Sequence, residues 1–214
     1  SIQAAINNAS SGDEIVISSG NYTENLVITK NDLVIRSESG NPEDTVITAG
    51  NSSIDVLHIR ANNTTVNGLK IRAAEDKDVT GIYLAGCTNC TIVNNNVSEI
   101  YLGIYLSSSK NNTILDNTIS SNKRYGIQVV RSEGNILLNN TANSNSHGIV
   151  VENNSSNNNL TGNVVNSNLD YGFYLINSSG NTLYNNTATE NNMGIHLRNS
   201  NLSVISGNNV SRNF

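Results

Sequence analysis

Two rows of side chains in this 214-residue chain are spaced to act together. Tyr83, Tyr105, Gln128, Val150, Tyr174 and His196 each take the third place of a recurring tetrad, Gly, then Ile or Phe, then any residue, then Leu or Val. Two places further on stand Ala85, Ser107, Val130, Glu152, Ile176 and Arg198. A Tyr ring offers an apolar face and a hydroxyl, so rings in a row beside polar side chains make a platform on which sugar rings can stack. Tyr83, Tyr105, Gln128, Tyr174, His196, Glu152 and Arg198 are therefore the candidate carbohydrate-binding residues. The plainer reading is that Tyr is a good strand residue whose stacked neighbours stabilise a sheet.

Catalysis asks for more. Glycoside hydrolysis generally needs two carboxyl groups about 5–9 Å apart, and proton abstraction from a uronate needs a positioned base beside a cation. In the second part of the chain the carboxylates Glu99, Asp116, Glu133, Glu152, Asp170 and Glu190 are sparse and out of register. Glu152 and Arg198 fall two repeats apart, about 10 Å at the strand spacing. Simple alternation puts His147 and His196 on different faces, leaves His58 outside the regular repeats, and gives none of the three a catalytic partner. No catalytic residue is assigned. The densest acidic patch, Glu75-Asp76-Lys77-Asp78, has the oxygens that suit calcium but not the ligand spacing of a calcium loop. Calcium is thus unsupported, and no cofactor or metal site is expected.

Cys87-Thr88-Asn89-Cys90 is a C-x-x-C pair, a pattern that serves metal binding or redox chemistry. It also permits a local disulfide if the β-carbons approach to about 4 Å. Both cysteines occupy repeat slots held elsewhere by Ser and Asn, which makes them small buried replacements in the simplest account. Asn21, Asn51, Asn96, Asn111 and Asn185 head Asn-x-Ser/Thr triplets, acceptor sites in an exported chain. A chain so rich in Asn, Ser and Thr also generates such triplets by chance.

The elements that position these residues come from a repeat. Gly81, Gly103, Gly126, Gly148, Gly172 and Gly194 head the tetrads at steps of 22, 23, 22, 24 and 22 residues. In the same phase run Asn95, Asn117, Asn140, Asn163, Asn186 and Asn208. Five residues before each stands Cys90, Asn112, Asn135, Asn158, Asn181 or Ser203, and eight before each stands Cys87, Ser109, Ser132, Ser155, Ser178 or Ser200. Each unit holds about three short apolar stretches of period two between Asn/Ser/Gly turns, too short for helices. One unit per coil lets successive coils pair as parallel strands about 4.8 Å apart. The Asn series then stacks at inward-turning corners, where amides can bond one another and the backbone.

This repeat over residues 81–214 resembles the right-handed β-helix superfamily of NosD-like proteins and the carbohydrate-binding and sugar-hydrolase (CASH) domains, found in many archaeal surface proteins. The opening is similar too: Ser1-Ile2-Gln3-Ala4-Ala5-Ile6, Gly12-Asp13-Glu14-Ile15-Val16-Ile17 and Gly20-Asn21-Tyr22-Thr23-Glu24-Asn25. The resemblance implies an N-terminal capping helix followed by the first coil. It agrees with the helical spacing of Ile2, Ala5, Ile6 and Ala9, ended by Gly12. The expectation is one all-β domain over 1–214, a right-handed parallel β-helix of about 8–9 coils and roughly 40 Å. A cap helix takes 1–11, irregular coils 12–80 and six regular coils 81–214. The resemblance says little about activity, because the fold hosts lyases, hydrolases, epimerases, adhesins and fibres. It also raises copper handling, for which Cys87, Cys90, one Met and three His are thin provision.

The net charge of −5 speaks against nucleic acid, which needs clustered cations. No apolar run approaches the ~20 residues that cross a bilayer, and Ser1-Ile2-Gln3 opens without a charged-then-apolar leader. Phe214 takes the slot of Leu102, Tyr125, His147, Tyr171 and Met193, so the chain stops where another coil would begin. Such an edge fits a piece of a longer protein or an end covered by a neighbouring subunit. The leading expectation is a non-catalytic extracellular rod in a cell-surface layer, sheath, filament or adhesin, assembling with itself end to end. The alternative is a domain that binds or degrades surface polysaccharide.

Overall fold

The computed structural model describes residues 1–51, 53–73 and 78–214. The short β-branched runs pair coil upon coil into a parallel β-helix with three faces. One face is a sheet of nine strands, from Glu14–Ile17 to Val204–Ser206. A second has eight, from Leu26–Ile28 to Met193–Arg198. The third runs from Gly20–Thr23 through Thr141–Asn143, crosses a single-residue bridge at Val164, and resumes at Thr187–Thr189 and Asn209–Ser211. Nine stacked strands at the parallel spacing make a rod of about 40 Å. The coils before residue 80 feed the same three sheets as the regular ones, with longer connections after Ser37 and Thr48.

The corners follow one local rule. A residue in the left-handed region comes immediately before an inward polar residue: Ser108 (φ 52°) before Ser109, Asn111 (55°) before Asn112, Asp116 (53°) before Asn117, and Ser121 (58°) before Asn122. Short polar side chains, Asn and Asp above all, adopt that conformation at least cost among non-glycine residues. Between corners, alternate residues point inward and stack in columns such as Ile82, Ile104, Ile127, Ile149 and Phe173, all fully buried.

In the middle of the ladders the amides are completely used. Asn117 Nδ2 donates to Ile92 O (2.8 Å) and Asn140 Oδ1 (2.9 Å), while its Oδ1 accepts from the backbone N and Nδ2 of Asn95, both at 3.0 Å. Two donors and two lone pairs are thereby satisfied in a buried corner. Asn112, Asn135, Asn158 and Asn181 form a second ladder and Asn95, Asn117, Asn140, Asn163, Asn186 and Asn208 the first. A third ladder, Asn122, Asn145, Asn168, Asn191 and Asn213, lies five residues further on and was not anticipated from sequence. The cue was the same five-residue step, hidden among many other asparagines.

The helix, α1, spans Ile2–Asn8. Ile2 and Ile6 close the first coil, but Ala5 is exposed and Ala9 only half-buried. The apolar face is thus narrower than the spacing suggested. α1 stops before Gly12 because Ala9 is already extended; Gly12 instead makes the positive-φ turn (93°) into the first strand. Glu24 of the first coil accepts from the backbone N–H groups of Ile2 and Gln3 (2.9 and 3.0 Å), supplying the free helix donors with a carboxylate.

Candidate functional site

The outer surface of the eight-stranded sheet carries the tyrosine row. Strand register places Val27, His58, Tyr83, Tyr105, Gln128, Val150, Tyr174 and His196 side by side in successive coils. His58, which sequence spacing left outside the repeats, therefore belongs to the row. Its ring meets Tyr83 at 4.5 Å, and Tyr83 stacks on Tyr105 at 4.8 Å and 15°. Val150 interrupts the rings and is buried between the longer Gln128 and Tyr174. Glu152 and Arg198 are two coils apart with Ile176 between them, and Glu152 accepts a hydrogen bond from Gln128 Nε2 at 2.6 Å. That pair does not bracket an open space.

A second row joins this face. Strict alternation puts the residue before each tetrad glycine on the inside, yet Tyr171 stacks on Tyr174 at 4.6 Å and 20°. Residues three apart share a face only where alternation breaks, and it breaks at the intervening glycine. A β-carbon on Gly172 would lie 2.6 Å from Gly194 O and 2.9 Å from Asn191 Nδ2, so the backbone there packs where no side chain fits. Tyr125, His147 and Tyr171 consequently line the surface beside the tyrosine row. His147 touches Tyr125 (4.9 Å), Tyr171 (5.1 Å) and Tyr174 (6.3 Å), and His196 touches Tyr171 (5.2 Å) and Tyr174 (5.3 Å). The two histidines share one face, contrary to the sequence expectation.

Two histidines also have partners that the sequence reading did not assign: Asp170 reaches His147 from the next coil, while Ser146, Asp55 and Arg60 lie within three residues of their histidines. His147 Nδ1 lies 3.0 Å from Ser146 Oγ, which bonds Asp170 Oδ2 at 3.2 Å. The direct His147–Asp170 distance is 3.7 Å, beyond a hydrogen bond, so the hydroxyl relays the contact. His58 Nδ1 lies 3.5 Å from Asp55, and its Nε2 accepts from Arg60 Nε at 3.1 Å. Burial pulls both imidazoles below the usual histidine range. Arg124, from the corner before Tyr125, lays its guanidinium over that ring at 4.6 Å and near Tyr101 at 5.9 Å.

The remaining candidates separate. Cys87 and Cys90 are buried free thiols, not a disulfide. Each Sγ donates to a backbone carbonyl, Ile59 O at 3.0 Å and Ala61 O at 3.2 Å, which uses the pair as ladder members. Hydrogen bonding with Cys90, then burial, pushes the Cys87 thiol up, away from the thiolate that binds metal. Copper would need further soft or imidazole ligands converging on them, and among the described residues no three His, Cys, Asp or Glu side chains do so. The residues present do not fit a copper ion. Of the sequons, Asn21, Asn51, Asn111 and Asn185 are exposed. Asn96 is half-buried with Nδ2 donating to Glu43 at 2.6 Å, so its amide is not free for modification in the folded chain. In the acidic patch proposed for calcium, residues 75–77 lie outside the described residues.

The chain is 36% identical over 103 residues to a cell surface glycoprotein of Methanothermus fervidus, a stretch covering 47% of this chain and 16% of that protein. It thus spans a small part of that relative. Among solved structures it is similar to the enzymatically active domain of bacteriophage CBA120 tailspike protein 2 (TM-score 0.69, 12% identity, 95% of this chain and 40% of that one). It is also similar to the pectin methylesterase of Yersinia enterocolitica (0.58, 16%, 100% and 93%) and to the A-module of the Azotobacter vinelandii mannuronan C-5 epimerase AlgE6 (0.59, 14%, 89% and 71%). At such identities these likenesses establish the β-helix fold and nothing of the chemistry. A family model described as periplasmic copper-binding protein (NosD) matches residues 6–187, most of the chain, and the chain belongs to the NosD family.

Proposed function

We propose that this chain is a non-catalytic structural segment of an extracellular cell-surface protein, a stiff rod that spaces or displays other parts. The observation that carries this reading is the set of three buried amide ladders, in which asparagine bonds asparagine coil after coil. A fully satisfied buried polar network rigidifies a structure and specifies its stacking. The likeness to a cell surface glycoprotein supports the location. Several carboxylates of the regular coils are taken up in local pairs: Glu133 with Lys110, Glu190 with Arg212, Glu152 with Gln128. We propose as its partners other copies of the same protein or surface polysaccharide. Electron microscopy of the purified protein at neutral pH, with and without calcium, tests the structural role. Rods in ordered filaments or sheets support it; dispersed particles that cleave or epimerise a polysaccharide overturn it.

A second reading, carbohydrate binding, is favoured by the ring stack His58–Tyr83–Tyr105 and its continuation at Tyr174 and His196. A glycan screen in which nothing binds would remove it.

A further inference from the structure

We propose that the patch formed by Arg124, Tyr125, His147, Tyr171, Tyr174 and His196 binds an acidic polysaccharide, a chain of uronate-type sugars lying along the rod. This rests on the carbohydrate-binding reading and assigns the ligand's charge, the residues and the direction of the chain.

The patch has the parts such a ligand needs. Four rings, with Tyr171 and Tyr174 stacked and His147 and His196 each meeting both, present a partly exposed aromatic surface of the kind that stacks on sugar faces. Tyr125, His147 and Tyr171 occupy the same slot in successive coils, with Met193 next. One step per coil is about 4.8 Å, comparable to the length of one sugar residue, so a polysaccharide laid along the axis meets an equivalent slot with each sugar.

Charge decides the class of sugar. Arg124 is exposed, is held flat on Tyr125, and makes no ion pair with any carboxylate among the described residues. A guanidinium fixed in this way presents its outer N–H groups as a fork for a carboxylate. Arg198 stands exposed at the far end of the patch, two residues beyond His196. The carboxylates nearest the patch, Asp170 and Glu152, keep their charge but have an oxygen engaged within the protein, by Ser146 and Gln128. The Ser146–Asp170 relay commits His147 Nδ1, which leaves Nε2 as an acceptor for a sugar hydroxyl.

The test is calorimetric titration with oligogalacturonate, and with dextran as the neutral control, at low and high salt. Variants with an unchanged melting temperature are compared. The intact protein is expected to bind oligogalacturonate and not dextran, more weakly in high salt. Arg124→Gln should weaken binding about tenfold, the loss of one charge-assisted contact. Tyr171→Ala should remove binding, Tyr171→Phe should keep it, and Tyr184→Ala, exposed on the neighbouring nine-stranded sheet, should leave it unchanged. Binding of neither polymer overturns both this site and the carbohydrate reading beneath it. Preference for dextran, or binding that survives Arg124→Gln and Tyr171→Ala but falls with Tyr83→Ala, overturns this site and leaves the carbohydrate reading standing.

Discussion

A buried asparagine amide is costly unless all four of its hydrogen-bonding positions are met, and here the ladder partner one coil away meets half of them. Asn140 accepts from the backbone and side-chain N–H of Asn117 and donates to Ile114 O and Asn163 Oδ1. Asn140→Ala strands those groups where water cannot reach. Each orphaned buried group costs about 1–3 kcal/mol, so urea unfolding should show a loss of several kcal/mol, and a loss under about 1 kcal/mol would contradict the ladder account. The histidines give a second prediction. Burial lowers the pKa of His147 and His58 in the fold, with Asp170 and Asp55 opposing and Arg124 and Arg60 assisting that shift. The unfolded chain, titrating near pH ~6.5, then binds protons more readily than the folded chain. Stability is full above that pH and falls as acid drives through it toward the lower folded pKa. Melting temperature should therefore drop between pH 8 and 5, and a His58→Gln, His147→Gln double variant should flatten the slope; an unchanged slope would count against it. Two of the three ladders were readable from sequence because their members recur at a fixed phase; the third keeps that phase but is hidden among other asparagines. The Ser146–Asp170 relay was not readable, because its members meet only when one coil stacks on the next.

At the scale of the strand, alternation explains which residues face the core and fails at one place. Ile127, Val129, Ile149 and Val151 point inward as period two requires. The same arithmetic carried through the tetrad glycine misplaces Tyr125, His147 and Tyr171, because the chain bends there against the next coil's backbone. The candidate sugar-binding row was thus half legible: its third-position members could be read, its pre-glycine members could not. Gly148 makes the constraint testable, since an added β-carbon would lie 2.6 Å from Gly172 O and 2.9 Å from Val165 Cβ. Gly148→Ala should destabilise by about 1–3 kcal/mol through overpacking. At the corners the problem is conformational. Arg131 sits at φ 48°, a left-handed position better suited to Asn. Arg131→Asn should leave stability equal or raise it by up to about 1 kcal/mol, and a lower melting temperature would mean that the Arg131 side chain contributes something its backbone strain does not reveal.

Across the whole molecule, strands pair between successive coils, and the segment holding Gly40 and Glu43 reaches two coils on to Asn94 and Asn96. The rod is thus close to a one-dimensional stack whose stability is nearly a sum of coils and interfaces. A stack of that kind should tolerate losing one unit cut in phase. Deleting residues 118–140 joins Asn117 to Thr141, the residue that pairs with Thr118 one coil on. The ladders then close without a mismatch: Ser155 comes onto Ser109, Asn158 onto Asn112 and Asn163 onto Asn117, while Asn145 takes the corner left by Asn122. Core columns are restored as well, with Ile149 on Ile104 and Leu160 on Ile114. The shortened chain should fold and unfold cooperatively. Its denaturant slope should fall in proportion to the surface removed, and X-ray scattering should show a rod shorter by about 4.8 Å. The same cut removes Arg124 and Tyr125, so the shortened protein should also lose most of its affinity for oligogalacturonate while keeping its fold. A deletion one residue out of phase, 118–139, provides the contrast. It shifts every inward side chain of the following coils by one position, and a period-two strand shifted by one turns its core face to solvent. Equal stability for the two deletions would mean that the corners absorb a residue freely and that ladder phase does not hold the rod together.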